Sequence, residues 1–357
     1  MTLERDGGTV TVLRALPFRS GGVRPTLAKR WRTGRDGEPF SLPVDDCRWF
    51  EVHERQVDGL AALEALLRNV ERCPSAAVIR GAPLPGTDHR RTERLANPAD
   101  DRTATFAARP RQWLMVDVDS LPDPPGDTMR SDPEACVEHT LCRLPDELAE
   151  ASCWWQASGS AGFKPGVRLH LWFWLSRPIS DAEAAGWLAA APVDRALYWP
   201  VQLHYVAASV LLGLADPLPR RSGRRLGLDD VVAVPATLPM REEFARGDLK
   251  ERVAALRQGL RRGVDDGDLQ AVQAAVRRSR LVQQLWRGER SYSDRSAAHF
   301  AVVSSLVKAG LDDDALLARV LVAVDRRLGW RTDKSSRPDY VARTIDRAKA
   351  AGAGAHA

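Results

Sequence analysis

Near residue 245 the apolar pattern of the chain changes period, and this limits the fold more than any other feature. Before it, short apolar runs alternate with Gly- and Pro-rich breaks, as strands and loops do. Runs with strand character cover Thr9–Leu13, Ala76–Arg80, Trp113–Asp119, Cys153–Ala157, Val167–Leu175 and Val231–Thr237. Between them, spacings of three and four predict helices over Leu60–Glu71, Pro133–Ala151 and Asp181–Ala190. Asp132 can cap the second, with Pro133 at its first position. After 245 only helical spacing remains, over Glu242–Arg262, Asp268–Trp286, Asp294–Ala309, Asp313–Leu328 and Pro338–Ala350. The expectation is an α/β (α+β) domain over 1–245, a helical Arg-rich linker over 246–288 and a small all-helical C-terminal domain over 289–357.

The 357 residues are 44% hydrophobic and 28% charged, enough apolar content for a sizeable core. No run of apolar residues is long enough to span a bilayer. The start, Met1-Thr-Leu-Glu-Arg-Asp-Gly-Gly8, lacks the basic and apolar segments of a secretory signal. Five scattered cysteines do not form a disulfide framework, so a reducing cytoplasm is the expected location. The net charge of +5 is mild, but its distribution is uneven. Arginines cluster at Arg220, Arg221, Arg224 and Arg225, and again at Arg257, Arg261, Arg262, Arg277, Arg278 and Arg280. Arginine suits bidentate phosphate contacts; the second cluster reads equally well as solvated helix faces.

The sharpest local feature is Trp113-Leu-Met-Val-Asp117-Val-Asp119. On a strand, Leu114, Val116 and Val118 point one way and Asp117 and Asp119 the other, with Cα atoms about 6–7 Å apart. Adjacent carboxylates repel, and a divalent cation offsets that repulsion; a solvated strand end is the plainer reading. In Val167–Leu175, Arg168, His170, Trp172 and Trp174 share one face. They follow the turn Ser158-Gly-Ser-Ala-Gly-Phe-Lys164-Pro-Gly166. Small residues followed by Lys164, Arg168 and His170 suit a phosphate-holding loop, although a lone His among apolar residues is commonly a packed one. Eleven tryptophans invite a base-stacking reading, with Trp172 and Trp174 the candidates and core packing the alternative. Asp194 lies in Val193-Asp-Arg-Ala-Leu-Tyr198, by composition an ordinary surface acid.

Taken in order, Val116-Asp117-Val118-Asp119, Arg168-Leu169-His170 and Val193–Tyr198 resemble the three motifs of the archaeo-eukaryotic primase superfamily. The segments 202–222, 290–296 and 340–345 resemble the primase domains of phages and integrative elements with their helical primase C-terminal domain. That resemblance implies a primase–polymerase core with an RRM-like mixed sheet. Asp117, Asp119 and Asp194 would hold two Mg2+ or Mn2+ ions roughly 3.5–4 Å apart. His170, Arg168 and Lys164 would bind a nucleoside triphosphate. Arg220, Arg221, Arg224 and Arg225 would track a single-stranded DNA template. No helicase-type phosphate loop follows, so the expectation is either a stand-alone primase or a piece of a larger replication protein, and the resemblance implies a replicative helicase as a partner. The family often carries Ser where this chain has Arg168, so that residue's role does not transfer. Asp216 rivals Asp194 as third acid. Cys136, His139 and Cys142 share a helix flank, but without a clear fourth ligand no zinc site is expected. A metal-dependent nuclease or phosphoesterase, and a non-catalytic DNA-binding replication factor, are the alternatives.

Overall fold

The computed structural model describes residues 7–18, 21–34, 36–42, 45–98, 102–126, 128–240, 246–292 and 295–353. The protein is α+β with a helical C-terminal region, and it divides into two compact units, Met1–Glu242 and Glu243–Ala357.

In the first unit the long strand Val167–Ile179 is central. It pairs antiparallel with Arg111–Leu121 on one side and with Cys153–Ala157 on the other. Ser222–Arg225 extends the sheet beyond Cys153–Ala157, and Val231–Val232 pairs parallel at Trp174 and Leu175. Alternation decides what each face meets. Leu114, Val116, Val118, Leu169, Leu171 and Phe173 share a core with Cys136, Val137, Leu141, Leu148 and Ala184 from the helices Pro133–Leu141, Asp146–Glu150 and Asp181–Trp187. Trp113, Met115, Trp154, Trp172 and Trp174 occupy the opposite face. They pack against the helix Leu60–Glu71 and a smaller sheet in which Thr9–Leu16 lies between Trp49–Gln56 and Ala76–Ile79. With both faces covered, the central strand reads as a nearly unbroken apolar run. Each buried Trp contributes roughly 4–6 kcal/mol of gross burial energy before entropy is subtracted. Trp172 and Trp174 are 0% and 5% exposed, so they are core residues and present no face to a base.

A buried arginine ties the layers together. Arg80 is fully buried; it donates to Asp181 Oδ1 at 2.5 Å and to the carbonyls of Trp113 and Ile179 at 2.8 and 2.9 Å. Arg111 in turn donates to the Arg80 carbonyl at 2.6 Å.

In the second unit the helices Arg246–Arg261, Asp266–Arg278, Arg280–Arg287, Arg295–Lys308, Asp314–Arg327 and Pro338–Ala353 surround one core. Leu256, Val282 and Leu285 share it with Val302, Leu306, Leu317, Leu321 and Ile345. Residues 246–287, expected as a linker, therefore supply core positions to the same bundle. In the same unit His299 and Asp325, both fully buried, pair at 2.8 Å, and His299 also meets the Tyr340 hydroxyl at 3.1 Å.

Some boundaries differ from expectation for local reasons. The helix expected over Pro133–Ala151 ends at Leu141, and Pro145, which has no N–H to donate, precedes a second short helix, Asp146–Glu150. The helix over Asp268–Trp286 breaks at Ser279, whose hydroxyl accepts from the Val282 N–H and opens a new helix. Trp49–Gln56 is a full strand that its residues did not announce, because its last three are exposed and polar. Val231–Thr237 keeps strand pairing only over Val231–Val232. The expected helix starts at Glu242 and Asp294 lie outside the described residues. Among the described residues, no helix is long and apolar enough to cross a membrane.

Candidate functional site

The strand register brings two sequence motifs face to face. Asp117 lies opposite His170 and Asp119 opposite Arg168 across the antiparallel pair. Directly opposed residues share a face, so these four side chains continue the tryptophan-lined face where its apolar contents run out. The third motif runs along the outer edge of the same strand. The Asp194 N–H donates to the Asp117 carbonyl at 2.9 Å, and the Tyr198 hydroxyl donates to the Met115 carbonyl at 2.9 Å. Two backbone-directed bonds thus bring Asp194 beside Asp117, although the two are far apart in sequence.

Electrostatics follow from this packing. Burial, followed by the negative charges of Asp119 and Asp194, pushes the Asp117 carboxyl up to about 7, against Arg168 acting in the opposite sense. His170 is pushed down to about 4 by burial, so its imidazole is neutral at neutral pH. Its Nε2 stands 3.6 Å from Asp117 Oδ1, too long for a hydrogen bond, and its buried Nδ1 has no partner among the described residues. Arg168 donates through Nη1 to Asp119. Asp119 is 59% exposed, whereas the Arg168 side chain is only 9% exposed.

A basic rim borders the acids. Trp31 stacks on Phe163 with ring centroids 4.3 Å apart, and its indole N–H donates to the Gly159 carbonyl at 2.8 Å. These contacts fasten the Ser158–Gly166 turn, and with it Lys164, to the strand Arg30–Thr33. Lys29 lies 5.8 Å from the Trp31 ring. Its ammonium is held below the usual lysine value by burial first and then by Lys164 and Arg168, with Asp119 opposing. Gly159 is required by close approach: a Cβ there would stand 2.9 Å from Lys29 Cβ. Sequence reasoning did not find Lys29, because it lies far upstream in an irregular stretch. The only available signal was its place next to Arg30 and Trp31.

The other expected residues behave differently. Asp216 accepts two bonds from Arg221, at 2.5 and 2.8 Å, and caps its own turn through the Leu218 N–H. Asp194 is therefore the acid at the Asp117 backbone, and Asp216 belongs to an arginine. Arg220, Arg224 and Arg225 pair with Glu134, Asp230 and Glu138 at 3.0, 2.5 and 2.9 Å. Each arginine of this cluster has a carboxylate partner within the fold. Cys136 and Cys153 are buried, and burial pushes the Cys153 thiol up to about 12.

Divalent-metal chemistry fits the donor types, since three carboxylates repel one another at one strand end. The fit is incomplete as folded. Among the described residues, no three His, Cys, Asp or Glu side chains are gathered as a ligand set, and Arg168 engages Asp119.

No protein-family profile matches the chain, and no solved structure does either. The chain is 27% identical over 256 residues to an Escherichia phage T5 protein described as "Putative replication origin binding protein". The match covers 65% of this chain and 26% of that protein, so the chain spans about a quarter of its relative.

Proposed function

We propose that the chain is a replication protein that engages DNA, and that its first unit transfers nucleotides as a primase–polymerase does. One observation carries the catalytic part. Three acids from three separate motifs, Asp117, Asp119 and Asp194, are brought to one strand end by register and backbone hydrogen bonds. Lys29, Lys164 and Arg168 border them, so acids for cations and bases for phosphates adjoin. The name of the phage relative supports the replication part.

In this reading Asp117, Asp119 and Asp194 would hold Mg2+ or Mn2+, and such ions would supply activation of a 3′-hydroxyl and neutralisation of the pyrophosphate charge. Arg168, paired with Asp119 as folded, would become available to the triphosphate if a cation took its place at that carboxylate. Lys29 and Lys164 would attract the triphosphate, and the Nδ1 of neutral His170, buried as folded, would offer it a hydrogen bond once uncovered by ligand entry. The Trp31–Phe163 stack keeps the basic turn positioned.

The Arg168–Asp119 ion pair also favours a second reading, in which the chain binds origin DNA without transferring nucleotides. Labelled ribo- or deoxynucleotide incorporation on single-stranded DNA, with Mg2+ or Mn2+, separates the two. Template-dependent incorporation by the wild type, lost in Asp117→Ala and Asp119→Ala with DNA binding retained, supports transfer. Strand cleavage in place of incorporation shows a phosphoesterase. Binding without either reaction shows the non-catalytic factor.

A further inference from the structure

Charge is divided unequally between the two units. Residues 1–242 carry 30 Lys and Arg against 32 Asp and Glu, whereas residues 243–357 carry 22 against 15. The excess positive charge of the chain therefore belongs to the helical unit, which none of the three sequence motifs enters. A polyanion is drawn to that unit before the other.

Within the helical unit the charge has a focus. The end of the helix Asp266–Arg278, the start of Arg280–Arg287 and the end of Arg295–Lys308 enclose an open groove of about 470 Å3. Arg278, Arg280 and Lys308 line it, together with Ser279 and Ser305, and no acidic side chain does. All three basic residues are exposed. Arg278 is held at the rim by donating from Nη1 to the Ala309 carbonyl at 3.2 Å. No carboxylate partner is present for Arg280 or Lys308 among the described residues, in contrast to Arg220, Arg221, Arg224 and Arg225. The Ser279 and Ser305 hydroxyls share one hydrogen bond at 2.8 Å. That bond uses one of their two protons and leaves the other to donate. Three unneutralised cations and a free hydroxyl proton are the chemistry of a phosphodiester site.

We propose that this groove, formed by Arg278, Arg280 and Lys308, is where the chain grips the sugar-phosphate backbone of DNA. The inference rests on the DNA-engaging part of the function above and not on nucleotide transfer. It moves the backbone contact from Arg220, Arg221, Arg224 and Arg225, which already have carboxylate partners, to the helical unit.

The test uses the full chain and a fluorescently labelled single-stranded oligodeoxynucleotide, with EDTA and without triphosphates, read by anisotropy across a salt series. Arg280→Glu combined with Lys308→Glu is expected to weaken binding about tenfold or more. It should also flatten the salt dependence by roughly two phosphate equivalents. Arg337→Glu with Arg343→Glu makes the same charge change outside the groove, at residues already paired to Asp339, and should weaken binding much less. If the reversed variant unfolds, Arg280→Gln with Lys308→Gln gives the same reading at smaller amplitude. Unchanged affinity and salt slope in the groove variants, with wild-type binding intact, would overturn this inference alone. An equal loss from the control pair would do the same. A wild type that does not bind DNA at all would overturn the DNA-engaging reading with it.

Discussion

Replacing Asp117 with Asn separates the cost of the acidic site from its use. The folded carboxyl holds its proton up to about 7, whereas an unperturbed one ionises near 3.8. Between those values the folded chain binds more protons than the unfolded chain, so stability falls as pH rises, and above pH 7 the full penalty is present. At about 1.4 kcal/mol per pH unit the limit is roughly 4 kcal/mol. The Asp117 side chain is 23% exposed, and water access reduces the effect to about half of that limit. Asp117→Asn removes the charge at nearly constant volume. In EDTA the variant is expected to gain about 1–2 kcal/mol more over the wild type at pH 8 than at pH 5. Urea unfolding followed by tryptophan fluorescence reports this, because nine of the eleven tryptophans lie in the first unit. Adding Mn2+ should then stabilise the wild type, by about 2.7 kcal/mol at a hundredfold excess over Kd, and leave Asp117→Asn unmoved. A variant whose advantage is the same at both pH values would refute the raised Asp117 carboxyl, which burial causes first and the neighbouring acids second. Equal stabilisation of both proteins by Mn2+ would refute the assignment of Asp117 as a ligand.

Three further outcomes follow from the packing. His170→Ala should weaken triphosphate binding roughly threefold to tenfold with template affinity unchanged. His170 is neutral, so the variant forgoes an ordinary hydrogen bond to the triphosphate; a change confined to solubility would mark the residue as packing. Arg80→Met leaves Asp181 without its buried partner and should destabilise the first unit by about 3–5 kcal/mol; a loss under about 1 kcal/mol in urea titration would contradict its role as a tie between layers. His299→Ala should destabilise the helical unit, seen as an earlier helix-unfolding step by circular dichroism while the tryptophan transition stays in place. Coincident shifts of both transitions would show that the units do not unfold separately.

Much of this molecule is local and therefore legible in its residues. The period-two alternation of Trp113–Asp119 determined that Asp117 and Asp119 share a face, because successive strand side chains must point oppositely. Asp132 and Pro133 marked a helix start, and the Asp132 side chain does accept from the Ala135 N–H. The loss of strand patterning after 245 marked the helical region, since apolar residues there recur at helical spacing. What the residues could not reveal depends on contacts between distant segments. The pairing of Arg168 with Asp119 required the antiparallel register, and Lys29 reached the site only through Trp31 and Phe163. The arginines at 220–225 read as a phosphate tract until the fold supplied Glu134, Asp216, Asp230 and Glu138. Charge in sequence is a count, whereas free charge depends on which carboxylates tertiary packing brings within a few ångströms. That is why the four arginines at 220–225 are neutralised, while Arg280 and Lys308, equally plain in the sequence, remain open to a ligand.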